Sequence, residues 1–145
     1  MRRSRAAPAS FAALHAPLRP ACDEVVVHLP VPPSVNALHA HGGRGGPRRS
    51  EAYKRWITTA GWRLQQQRPG RIEGAYTLHL AMPTHSKCDL GNLEKPVSDL
   101  LQAHGIVSND RRAAGIQLSW QNDGPEAVVT VRRAAGRLLD AARSA

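Results

Sequence analysis

The sequence predicts an α+β domain, in which a small mixed β-sheet of about four strands packs against two main helices. Short segments with β-branched or alternating apolar residues, most of them bounded by proline or turn residues, indicate strands. Two longer segments repeat apolar residues with a period close to 3.6, which is typical of helices that bury one face. A length of 145 residues fits one domain, and 41% apolar residues suffice for an ordinary core.

The first strand and the first helix have clear boundaries. Residues 24–29 are rich in valine, and Pro30 ends them because proline cannot continue a strand ladder. Ser50 is a good N-cap for a helix that runs to about Gln67, before a Pro-Gly pair. The apolar stripe of this helix contains Tyr53, Trp56, Ile57, Ala60 and Leu64.

The second half of the chain predicts three more strands and one helix. Residues 76–82 alternate between apolar and polar side chains and end before a proline. A second helix over 91–103 must begin close to Pro96, because proline is tolerated only in the first helical turn. Residues 114–120 and 127–132 follow as strands, joined by a turn that contains Asn-Asp-Gly-Pro.

The net charge of +9 is unevenly distributed along the chain. We interpret residues 1–22 as a disordered basic extension, 23–133 as the folded domain and 134–145 as a basic tail. Residues 44–71 carry eight basic side chains against Glu51 alone. Such a segment suits a polyanionic partner, although a solvated charged surface explains the same composition.

Several classes of protein are excluded or disfavoured. No apolar run approaches the ~20 residues of a membrane span, and two cysteines, Cys22 and Cys88, are too few for a disulfide framework. We therefore expect a cytoplasmic protein with reduced thiols; a misplaced start codon and a transit peptide remain alternatives for residues 1–22. The glycine-rich segment 42–49 lacks the Gly-Lys-Ser/Thr of a phosphate-binding loop and is either a basic arm or a linker.

The strongest chemical signal lies between residues 87 and 110. Asp89, Asn92, Asp99 and Asp110 offer oxygen ligands around Lys95, in a chain that is otherwise poor in acids. A divalent cation would relieve the repulsion between these carboxylates. In nucleases such a cation activates water and neutralises charge on phosphate. The alternative is purely structural, with Asp89 as a helix cap and Asp110 as a turn residue.

Motifs in a specific order extend over residues 24–133. They are Leu29-Pro30, Pro32-Pro33-Ser34-Val35-Asn36, a helix with Tyr53, Met82-Pro83, then Asp89-Leu90-Gly91-Asn92-Leu93-Glu94-Lys95 with Asp99 and a late Asp110. This ordered set resembles the RusA family of crossover-junction endodeoxyribonucleases. The resemblance implies a small homodimer that binds four-way DNA junctions and cuts them symmetrically with Mg²⁺, or alternatively Mn²⁺, in recombination and repair.

The resemblance also assigns roles to individual residues. Asp89 and Asp110 correspond to catalytic carboxylates that hold the metal, and Asn92 and Lys95 match the Asn and Lys of the motif. Asp99 matches a downstream Asp and is a further candidate metal ligand. We expect basic side chains to hold the DNA backbone; the candidates are Arg44, Arg48, Arg49, Lys54, Arg55 and Lys87.

The chain departs from the family pattern at one catalytic position. Gly91 stands where the motif has its second Asp, and glycine supplies no ligand. Asp99, Asn109 or a water would have to compensate. Two alternatives to an active enzyme therefore stay open. One is a catalytically impaired protein that still binds junctions, and the other is a structural protein that compacts DNA.

Overall fold

The computed structural model of the protein describes residues 19–37, 39–40, 48–84, 86–121 and 124–135. Within these residues the strands are β1 (Glu24–Leu29), β2 (His39–Ala40), β3 (Arg48–Arg49), β4 (Tyr76–Pro83), β5 (Ala113–Gln121) and β6 (Ala127–Arg133). The α-helices are α1 (Glu51–Gln66) and α2 (Glu94–Ala103). Neither of these two helices combines the length and the apolar character needed to cross a membrane. The predicted α+β class with two main helices is confirmed.

Four strands form the main sheet in the order β1-β6-β4-β5. β6 pairs antiparallel with both β1 and β4, whereas β4 pairs parallel with β5. The parallel pair is connected through α2, which is the usual crossover between parallel neighbours. The sheet is therefore mixed, as predicted. β5 and β6 are consecutive in sequence, but β4 lies between them.

The core lies between one face of the sheet and the two helices. β1 buries every second residue, with Val25, Val27 and Leu29 facing inwards, as expected for a strand with one solvated face. α1 begins after Ser50, whose hydroxyl accepts a hydrogen bond from the Tyr53 backbone N–H at 3.1 Å. This confirms the predicted cap. The helices contribute Tyr53, Trp56, Ala60, Leu64, Val97, Leu100 and Leu101 to the core.

The predicted start of the second helix is wrong by three residues. Leu90–Asn92 forms a separate 3₁₀ turn, and α2 begins only at Glu94. The tighter turn is closed by the Leu93 backbone N–H, which donates to the Leu90 carbonyl at 3.0 Å. Pro96 is then the third helical residue, where its missing N–H costs nothing. Asn92 therefore does not share a helical face with Lys95 and Asp99.

Residues 19–22 pack against the domain, although the sequence suggests that they end a basic extension. The Arg19 side chain is only 6% exposed. It donates to the carbonyls of His104 (3.1 Å) and Pro69 (3.0 Å) and to the side-chain oxygen of Gln65 (3.0 Å). Ala21 forms a parallel bridge with Arg71. The remainder of the predicted extension, 1–18, and residues 136–145 of the predicted tail lie outside the described residues.

Candidate active site

An open pocket of about 300 Å³ lies where the first turns of α2 meet the start of β5 and the 3₁₀ turn Asp110–Arg112. The chain brings these segments together because α2 crosses over between β4 and β5, and the turn leads directly into β5. The pocket is lined by Glu94, Lys95, Ser98, Asp110, Arg111, Ala113 and Ile116. It combines two carboxylates with two cations, which is a composition suited to a charged ligand.

Lys95 connects two of the predicted site carboxylates. Its ammonium Nζ lies 2.8 Å from Asp99 Oδ1 and 3.4 Å from Asp110 Oδ2. Lys95 and Asp99 are four residues apart on α2 and so lie on one helical face. Gln102 continues this face, and its side-chain oxygen accepts a hydrogen bond from the Asp110 backbone N–H at 3.0 Å. α2 thus contacts Asp110 twice, at its carboxylate through Lys95 and at its backbone N–H through Gln102.

The local charges hold Lys95 in its ammonium form. The hydrogen bond to Asp99 is the main cause that raises the pKa of Lys95, with a further contribution from Asp110. The carboxylates also affect Tyr76, a fully buried residue of β4. Burial is the main cause that raises the pKa of Tyr76 to about 12, and the negative charges of Asp110 and Glu94 add to it. Asp110 and Glu94 therefore act on the same small region.

Glu94 is a site residue that the motif analysis missed. It is the first residue of α2, and its side-chain oxygen accepts a hydrogen bond from the hydroxyl of Ser98. Ser98 is only 4% exposed, so this contact fixes the Glu94 carboxylate at the pocket. Gln102 was also missed, although its spacing of seven residues from Lys95 predicts a shared helical face.

Asp89 and Asn92 lie in a neighbouring segment. The Asp89 backbone oxygen accepts a hydrogen bond from the Asn92 backbone N–H at 3.0 Å, which closes the 3₁₀ turn. The Asp89 side chain does not cap this turn, and within the described residues it forms no hydrogen bond or ion pair. Neither residue lines the pocket, and neither does Asp99. The structure thus groups Lys95 with Asp99 and Asp110, while the exposed Asp89 carboxylate takes no part in these ion pairs within the described residues.

Gly91 has no steric reason to be glycine. A Cβ atom placed on it would meet no heavy atom within 4 Å. Its backbone is not among the positive-φ positions, which are Arg68, Gly74, Gly105 and Gly124 within the described residues. An aspartate would therefore fit at position 91 without strain. Asn109 is already committed locally, since its side-chain oxygen accepts a hydrogen bond from the Arg111 backbone N–H at 2.9 Å.

One predicted DNA-contacting residue lies beside the site. The Arg49 guanidinium sits over the Tyr53 ring, with its carbon 5.6 Å from the ring centroid. Burial is the main cause that raises the pKa of Tyr53, and Asp99, Arg49 and Lys95 also influence it. Arg49, Lys95 and Asp99 are thus all close enough to Tyr53 for their charges to act on it.

The other predicted DNA-contacting residues are more dispersed. Lys54 pairs with Glu51 at 2.9 Å on the exposed side of α1, and Arg55 and Lys87 are exposed. Arg48 pairs through its backbone with Ala40 in the β2–β3 ribbon. Arg44 lies outside the described residues.

The donor chemistry at the pocket fits a hard cation that is bound weakly. Within the described residues, no group of three or more His, Cys, Asp or Glu side chains is arranged to hold a metal. Mg²⁺ is typically held by only one or two carboxylates together with waters and substrate phosphates. Glu94 and Asp110 offer such carboxylate oxygens at one pocket. The set suits Mg²⁺ and is too small for a tetrahedral structural zinc site.

The fold and the site together define a basic α+β domain in which a protonated lysine and two carboxylates line an open pocket. The family described as endodeoxyribonuclease RusA matches residues 30–132. This match spans well over half of the chain, so the protein belongs to the RusA family, which confirms the resemblance of its motifs. No match to a curated protein was found. The matched residues include the whole pocket and the 3₁₀ turn with Gly91.

Proposed function

We propose that the protein is a Mg²⁺-dependent endodeoxyribonuclease that resolves four-way DNA junctions during recombination and repair. The observation that carries this proposal is the Lys95–Asp99–Asp110 group beside an open pocket, within the region that matches the RusA family. A protonated lysine shared by two carboxylates is more than a generic surface pair, because the open pocket gives a phosphate direct access to it.

The residues at the pocket and in the neighbouring segments have distinct roles in this proposal. Lys95 contacts the scissile phosphate and stabilises the charge that develops on it, while Asp99 orients the ammonium group. Asp110 and Asp89 would hold Mg²⁺, which when bound supplies Lewis-acid polarisation of the phosphate and a more acidic water. The backbone N–H of Asn92 closes the 3₁₀ turn in the segment that carries Asp89, and its side-chain amide would position a metal-bound water.

The DNA backbone is held by exposed basic side chains, namely Arg49, Lys54, Arg55 and Lys87, which we call the DNA face. The Arg49 guanidinium is held over the Tyr53 ring, and the charges of Arg49 and Lys95 both act on Tyr53, so one bound phosphate backbone can contact both cations. A four-way junction has two equivalent strands to cut. A two-fold symmetric homodimer supplies one site for each of them.

A second candidate function is supported by Gly91. A site with one carboxylate fewer binds its cation less tightly, so the protein would retain junction binding but lose cleavage. In this second function the protein would hold junctions with the same DNA face. The two functions differ in one measurable product, the nicked junction.

The test is cleavage of a synthetic four-way junction and a linear duplex, with and without Mg²⁺ or Mn²⁺. We expect metal-dependent, paired nicks in the junction and little cutting of the duplex. Asp89→Asn and Asp110→Asn should abolish cleavage and leave binding intact or tighter, because each removes a negative charge near DNA. Asp23→Asn is the matched control, since Asp23 pairs with Arg133 beside β1, at the sheet edge opposite β5. Binding without nicking in either metal would establish the impaired binder.

A further inference from the structure

Glu94 and Asp110 place two carboxylates on one pocket, and Glu94 is close in sequence to Gly91, where this chain lacks the second Asp of the family motif. Gly91 lies in the 3₁₀ turn that leads into α2, and Glu94 follows three residues later as the first residue of the helix. The two positions are thus about one turn apart along the same segment. Gly91 has open space where its side chain would be.

The Glu94 carboxylate is held in place rather than free to move in solvent. Its partner Ser98 lies one helical turn further along α2 and is 4% exposed. Only one of its two carboxylate oxygens accepts this bond, and Glu94 lines the pocket. Both Glu94 and Asp110 contribute to the raised pKa of Tyr76, as expected for carboxylates on the same side of the core.

Asp99 is less suited to the same role. Its carboxylate pairs with Lys95 at the shorter of the two distances, 2.8 Å against 3.4 Å for Asp110. It does not line the pocket. Moving Asp99 to a cation would also release Lys95 from its closest partner.

We infer that Glu94 supplies the metal-binding carboxylate that Gly91 cannot, so that Glu94 joins Asp110 and Asp89 in the cation site of this protein. The inference rests on the proposed function and specifies which residues perform it. It also explains how a member of the family retains a usable site after losing one motif Asp. The ligand is a hard divalent cation of the Mg²⁺ or Mn²⁺ class.

A structural explanation of Glu94 makes different predictions. An acidic residue in the first turn of a helix is stabilised by the helix dipole, and the contact with Ser98 alone helps to order the turn. In that case the side chain affects stability and not cation affinity. Glu94→Gln separates the two roles, because glutamine keeps an oxygen that can accept the Ser98 hydroxyl but loses the charge.

The experiment is a titration of the DNA-free full-length protein with Mn²⁺, followed by the EPR signal of free Mn²⁺. We expect one saturable site in the wild type and an affinity lower by about ten-fold or more in Glu94→Gln. Gly91→Asp introduced into Glu94→Gln should recover most of that loss. Glu24→Gln is the matched control. Glu24 lies on β1, at the opposite sheet edge from the pocket, and pairs with Arg132 of β6.

Thermal melting without metal and junction cleavage are measured on the same variants. Unchanged Mn²⁺ affinity in Glu94→Gln, with cleavage present in the wild type, overturns the inference and leaves the proposed function intact. A fall in affinity that comes with a lower melting temperature and is not recovered by Gly91→Asp also overturns it, in favour of the structural role. A fall in affinity that Gly91→Asp recovers supports it, even if the wild type fails to cut junctions, in which case only the proposed activity is lost.

Discussion

The two ends of α2 hold their cations in opposite ways. At the C-terminal end, Arg19 is 6% exposed, and its guanidinium donates to two carbonyls and one amide oxygen. At the N-terminal end, the Lys95 side chain is 51% exposed and pairs with two carboxylates. The first cation joins the N-terminal segment to both helices. The second remains open to a ligand.

The difference shows how a positive charge is used in each place. Burying Arg19 carries a desolvation cost, which lowers its pKa and is offset only because its hydrogen bonds are satisfied. Such a cation stabilises the fold and is inaccessible to DNA. Lys95 keeps contact with water, and its ion pairs contribute little to stability at that exposure. Its exposed ammonium group is accessible to the phosphate in the proposed reaction.

The largest effect should come from Lys95→Ala. We expect junction cleavage to fall by about 10²–10³-fold, because a cation aimed at the developing phosphate charge is lost. The unfolding free energy should change little, since both ion pairs are exposed. Single-turnover cleavage and urea denaturation measure the two quantities. Lys95→Arg is the control that keeps the charge. A large loss of stability in Lys95→Ala would make this end of α2 structural as well.

Arg19→Ala should give the reverse pattern. Removing three hydrogen bonds leaves the Pro69 carbonyl buried without its partner. We therefore expect the free energy of unfolding to fall by about 2–3 kcal/mol. Cleavage by the folded fraction should be unchanged. Deletion of residues 1–18 should leave the melting temperature near that of the wild type, whereas deletion of 1–22 should lower it. Equal melting of the two deletions would show that Arg19 contributes nothing.

The sequence predicts the boundaries of individual strands and helices better than it predicts how these elements assemble. β1 matches its predicted residues because a run of valines is followed by prolines, and α1 begins where Ser50 caps it. The strand order does not follow from such signals. The parallel pairing of β4 with β5 places Asp110 next to α2, and only long-range packing decides it.

The site was predicted in part for the same reason. Lys95, Asp99 and Asp110 were found from spacing and motif, and the structure brings them together. Glu94 was missed because its role depends on the contact with Ser98 and on the turn that shifts the start of α2. The burial of Arg19 was also missed, since a basic segment rich in alanine and proline is typical of a solvated chain.

A smaller effect should distinguish the DNA face from the rest of the basic surface. Arg49→Ala should reduce the slope of log affinity against log salt by about one, because one phosphate contact is lost. Arg63→Ala is the matched control on α1, since Arg63 already pairs with Glu126 at 2.6 Å. Junction binding at several salt concentrations measures both. Equal slopes for the two variants would remove Arg49 from the proposed DNA face.

The smallest effect concerns pH at the anchored end of α2. The Gln65 side-chain oxygen accepts from Arg19, so its amide nitrogen faces His104 Nδ1 at 3.1 Å and must donate to it. Neutral His104 can accept that bond, whereas the protonated ring cannot. Burial is the main cause that lowers the pKa of His104, and the nearby positive charge of Arg19 adds to it.

The sign of the pH effect follows from this lowered pKa. Above pH ~6.5 His104 is neutral in both the folded and the unfolded state, so it imposes no penalty. As the pH falls below that value, the unfolded chain takes up a proton before the folded one does, and stability is lost. We therefore expect the melting temperature to fall more between pH 7.5 and 5.5 in the wild type than in His104→Gln, which cannot titrate. Carboxylates contribute equally to both proteins. His28→Gln is the control, since it removes an exposed histidine of β1 and leaves the Gln65–His104 contact in place. If the melting temperature fell equally between pH 7.5 and 5.5 in the wild type and in His104→Gln, His104 would not contribute to the pH dependence of stability.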